Sequence, residues 1–136
     1  MKRFARPALL AMLFIAVLSC GGDGGTGPSG PGELQIRLTS PNSGLDSAIV
    51  LTITGPAALT SATPGPGLRL FQPATLSGTT TKFALLGQLT NGAVIMTIGI
   101  QDLAALTQYH GAIGDVAMPT YQLRPSLAGY GLALTR

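Results

Sequence analysis

The sequence predicts an all-β protein, a single antiparallel β-sandwich of about seven or eight strands over residues 33–136. Three observations predict it. Apolar residues recur at every second position in segment after segment, the pattern of strands with one buried face. Proline, glycine and asparagine interrupt that alternation at spacings near ten residues, as the turns of a meandering chain would. Residues 33–136 are also rich in apolar side chains and poor in charge, which argues against disorder. Their 104 positions are enough for one domain of common size and too few for two.

Taken in order, Leu34, Ile36 and Leu38 alternate with Gln35, Arg37 and Thr39, and Ile49, Leu51 and Ile53 alternate with Val50, Thr52 and Thr54. Leu68 and Leu70 continue the pattern, as do Phe83 and Leu85 after Thr79–Thr81. Val94, Met96, Ile98 and Ile100 form the longest set, and Leu132 and Leu134 close the chain. Turns are expected at 40–44, at Gly55-Pro56, over 64–67 and at Asn91-Gly92. Leu89–Val94 reads as a tight hairpin, because Asn-Gly accepts the positive φ of primed turns. Residues 102–107 read as a short helical connection through Leu103 and Leu106, and Pro119 and Pro125 as later edges or turns.

Ahead of this domain the chain changes character twice. Lys2, Arg3 and Arg6 precede an apolar run from Ala8 to Leu18, whose end overlaps Val17-Leu18-Ser19-Cys20-Gly21, the run that holds the only cysteine. A basic start, a short apolar stretch and small residues before a cut are the parts of a secretory signal. The run is too short to span a bilayer, which takes about 20 apolar residues. Residues 21–32, with seven glycines in twelve positions, cannot bury a core and form a tether of roughly 20 Å as a coil.

The segment ending at Cys20 resembles the lipobox of bacterial lipoproteins. The resemblance implies a signal peptide at 1–19, lipid attachment at Cys20, a tether at 20–32 and a sandwich at 33–136. It implies export to the cell envelope, with membrane lipid as the first partner. Gly21 in place of an aspartate implies sorting to the outer membrane. The alternative is an ordinary signal cut after Ser19, which would leave Cys20 as a free thiol able to pair between molecules. In strand number and spacing the domain is similar to immunoglobulin-like and cohesin-like bacterial domains, without their fixed motifs. Leu38–Asn42, Asp46–Ile49 and Thr52–Gly55 together resemble the opening of certain small lipoproteins of unknown activity.

The remaining residues argue for binding over chemistry. The +3 charge comes from Lys2, Arg3 and Arg6; beyond them five basic side chains balance five acidic ones. A nucleic-acid binder needs a basic patch, so no nucleic-acid partner is expected. His110 stands alone, with Ser126 and Asp115 as conceivable partners at no informative spacing, and one histidine without a free cysteine makes no zinc site. Asn42 and Asp46 share a loop that could hold a weak calcium ion, though Asn42 more simply shapes the turn. No Asp-x-Asp calcium spacing, paired carboxylates or phosphate loop is recognised. No cofactor, metal or catalytic residue is therefore assigned. Tyr109 and Tyr121 are the candidate ligand contacts, because flat aromatic faces can stack on sugars; packing is the competing use. The expected function is a non-catalytic module for binding, adhesion or envelope structure, partnered by an envelope protein or a glycan. A cell-surface carbohydrate-binding module is the alternative, and a small hydrolase a more distant one.

Overall fold

The computed structural model describes residues 27–136. The signal segment, Cys20 and the first half of the glycine-rich stretch lie outside the described residues. Within them the alternating segments form strands β1 (Gly32–Thr39), β2 (Asp46–Thr54), β3 (Ser61–Pro64), β4 (Arg69–Phe71), β5 (Thr80–Leu89), β6 (Val94–Ile100), β7 (His110–Ala117) and β8 (Gly131–Thr135). A 3₁₀ helix over Leu103–Gln108 precedes β7. Its start is capped by Asp102, whose carboxylate accepts from the Ala104 N–H at 3.0 Å.

The strands make two antiparallel four-stranded sheets packed face to face, so the fold is an all-β sandwich. Sheet A has the order β3-β6-β1-β8 and sheet B the order β4-β5-β2-β7. Leu34, Ile36, Leu38, Met96 and Ile98 of sheet A meet Ile49, Leu51, Ile53, Phe83, Leu85 and Val116 of sheet B in one buried core. Each such side chain contributes about 1.5–3 kcal/mol on leaving water, which makes this layer the main source of stability.

Bulges adjust the alternation in three places. Ile36 pairs with Met96 but Arg37 with Val94, so Ile95 is an extra residue in β6. Ile95 and Met96 are consequently both buried, while Val94, read from the sequence as a core position, is half-buried. In β5 the shift falls near Gly87, whose φ of +140° suits glycine. In β7 it falls at Gly114, between the pairs Leu51–Ile113 and Val50–Asp115.

The Asn91-Gly92 turn forms, with Gly92 at φ +82°. It does not close a hairpin as expected, because β5 lies in sheet B and β6 in sheet A. Its polar groups face the neighbouring turn instead: the Ser40 N–H donates to Asn91 Oδ1 at 2.9 Å, and the Asn91 N–H to Ser43 Oγ at 2.9 Å. Among the described strands only β4 and β5 are joined within one sheet; the other six connections cross between sheets. The end of the glycine-rich stretch is also fixed. The Gly30 N–H donates to Asp102 Oδ1 at 3.0 Å and the Leu103 N–H to Gly30 O at 2.8 Å, so the tether is pinned two residues before β1.

Candidate functional site

The residues singled out from the sequence end up in separate places. Cys20 lies outside the described residues. Tyr109, just after the 3₁₀ helix, is 4% exposed. Its ring lies so close to Gly55 that a Cβ there would sit 2.2 Å from ring carbons. Gly55 and Tyr109 are thus a packed pair, and the ring is used mainly for packing. Burial, and secondarily the charge of Asp102, raises its phenol above the ordinary tyrosine pKa. Tyr121 is the opposite case, 96% exposed at φ +67° in the turn where the Tyr121 N–H donates to Met118 O. A bulky residue in the left-handed region stores strain that the surrounding turn must hold.

His110 opens β7 and is exposed beside Thr54. Asp115 shares its strand and its outward face but pairs with Val50, four residues of β2 away, or roughly 13 Å at about 3.3 Å per residue. That is beyond proton-transfer reach. Among the described residues no hydrogen bond joins His110 to Asp115 or Ser126, and no three metal-ligating side chains gather. An open hollow runs beside His110 where β7 approaches β8, lined also by Leu106, Thr107, Tyr109, Gly111, Leu132 and Leu134.

The polar cluster that sequence reasoning missed is centred on Asp46. This carboxylate, at the first position of β2, is 1% exposed. Arg124 Nε donates to Oδ1 at 2.7 Å and the Tyr130 hydroxyl to Oδ2 at 2.5 Å. Asn42 Nδ2 in turn donates to the Tyr130 hydroxyl at 2.8 Å, and Arg124 Nη2 to Leu45 O at 3.2 Å. The ion pair neutralises the buried charge, and the bond to Asp46 is the main reason the guanidinium pKa rises above its ordinary value. Asn42 and Asp46 do share a site, as the loop reading proposed, but the cation in it is Arg124. The cluster ties the β7–β8 connection to the β1–β2 loop. Both carboxylate oxygens are engaged and no buried side-chain nitrogen or oxygen among the described residues is left unpaired, so the cluster is built to hold structure.

The surface without such an internal account is the outer face of sheet B. Register places its outward residues in rows. Arg69, Leu86, Ala48 and Ala117 form one row, extended by Leu123 through its bridge to Ala117. Phe71, Ala84, Val50 and Asp115 form the next, and Lys82, Thr52 and Ala112 the third. Leu86, Phe71 and Leu123 are 41%, 46% and 59% exposed. An open hollow of about 320 Å³ lies beside Phe71, over Val50 and Ala84. The Arg69 guanidinium carbon stands 5.4 Å from the Phe71 ring centroid, a cation–π contact at the margin of the patch. The faint signal in the sequence is the broken alternation at Ile49-Val50-Leu51 and Leu85-Leu86, where outward positions are apolar too.

Comparison with protein-family models, curated proteins and solved structures finds no match for this chain.

Proposed function

We propose that the chain is an exported lipoprotein, held to the outer membrane through acylated Cys20, whose sandwich is a non-catalytic module that binds through the outer face of sheet B. The observation that carries this is the apolar band in which exposed Leu86, Phe71 and Leu123 adjoin half-buried Val50, Ala84 and Ala48 on the outer face of sheet B. Contiguous exposed apolar surface marks interaction sites more often than chance residues do. The engagement of the buried carboxylate by Arg124 and Tyr130, and the isolation of His110, support binding over catalysis. The glycan-binding alternative would rest chiefly on Tyr121, since Tyr109 is 4% exposed.

The test takes the full chain in an exporting bacterium. Cys20→Ser is expected to abolish labelling by a radioactive fatty acid, and persistent labelling refutes the anchor. Envelope material captured by the chain should fall about tenfold with Val50→Glu and stay unchanged with Gln35→Glu, which sits on the outer face of sheet A. Equal capture by the two variants refutes the role of sheet B.

A further inference from the structure

We propose that the outer face of sheet B is the interface of a twofold-symmetric dimer, in which two copies of this chain cover the same face of each other. The inference rests on the reading that this face is where the chain binds, and it commits to a second copy as the occupant.

The register supplies the argument. A twofold axis parallel to the strands, running between β5 and β2, lays β5 of one copy over β2 of the other and β4 over β7. Positions along the strands are unchanged by this operation, so each residue meets the cross-strand partner of its own row. Leu86 then sits over the second copy's Ala48, and Ala84 over its Val50. In these two central rows large falls on small and no charge is buried, as close face-to-face packing of sheets requires.

The charges follow the same symmetry. Arg69 and Lys82 lie on the β4–β5 half of the face and Asp115 on the β7 edge. The cation–π contact draws the Arg69 guanidinium over Phe71, into the row that Asp115 occupies. The twofold operation sets Phe71, with that guanidinium over its ring, opposite the second copy's Asp115 and repeats the pairing at the other margin, while Lys82 lies one strand and one row away, opposite Thr52. A face meant for an anionic lipid surface would carry one sign; this one carries both, at opposite margins of an apolar centre. Four strands at about 4.8 Å and rows spanning about 20 Å give roughly 400 Å² in projection, below the about 800 Å² per partner of a standard interface. Association is therefore weak in dilute solution and favoured where copies are confined to one surface.

The test co-expresses two full-length copies with different affinity tags, crosslinks them in the intact membrane where they share one surface, captures one tag from detergent and measures the other. Wild-type copies are expected to co-purify well above an unrelated tagged lipoprotein in the same detergent. Asp115→Lys in both copies, or Arg69→Glu with Lys82→Glu in both, should lower recovery about tenfold by setting like charges together. One copy of each kind should restore it, because every contact is again between opposite charges. Misfolded chains cannot produce that reciprocal rescue. Recovery of wild-type copies no higher than the unrelated lipoprotein, or loss in each variant without rescue, overturns the dimer. If the dimer fails while Val50→Glu still lowers capture of envelope material, the binding reading stands with another partner; if Val50→Glu is silent there too, both fall.

Discussion

Sheet A turns Glu33, Gln35, Arg37, Thr63 and Thr97 outward, whereas the corresponding face of sheet B presents Leu86, Ala84, Ala48, Val50 and Phe71. Both sheets have four antiparallel strands, and both bury mainly leucine and isoleucine on their inner sides. The inward halves of the alternation are thus equivalent, and only the outward halves differ. A sandwich needs one apolar face per sheet to fold; a second apolar face on one sheet contributes nothing to that core and is available for something outside it. Stability should therefore reside in the shared interior, and substitutions confined to either exterior should leave it nearly untouched.

The strongest attempt to break that division is Asp46→Ala. It removes the carboxylate that gathers Arg124, Tyr130 and Asn42, and should cost about 3 kcal/mol in denaturant unfolding. A loss below about 0.5 kcal/mol, the usual size of a surface effect, would remove the cluster from the stabilising interior. A gentler test is alkaline titration. The phenol of Tyr109 is raised by burial, so its contribution is intact below the ordinary tyrosine value of about 10 and is lost as pH climbs through the raised one. Melting temperature should fall over that upper range. Tyr109→Phe, which cannot ionise, should flatten the fall; an unchanged pH profile in that variant would place the loss elsewhere. Smallest of all is Tyr121→Gly, which relieves an exposed residue at φ +67° and should stabilise by about 1 kcal/mol. Destabilisation instead would show that the exposed ring packs on something.

How far the sequence revealed this molecule depended on whether local pattern or distant pairing decided the outcome. β1, β2 and β5 were legible because Leu34-Ile36-Leu38, Ile49-Leu51-Ile53 and Phe83-Leu85 are buried at period two. β3 was not, since Ser61-Ala62-Thr63-Pro64 offers one small apolar residue and a proline. β7 was hidden by its own bulge: Ile113 and Val116 both face inward but stand three apart. Asn91-Gly92 named its turn correctly and misled about the connection, because turn chemistry fixes φ and not which sheet receives the next strand. The Asp46–Arg124 pair spans 78 positions, and no local pattern couples residues so far apart. The apolar outer face required the register of four strands, none of which announces its neighbours.

Six of the seven connections between the described strands pass from one sheet to the other. Neither layer can consequently be completed ahead of its counterpart, and only β4 with β5 could zip up as a nearest-neighbour unit. Folding must wait for loop closures of high contact order, which makes it slow and all-or-none. A partly emerged chain would display unpaired apolar strands from both layers at once, so a chaperone that keeps it extended until the last strand is free would suit its topology.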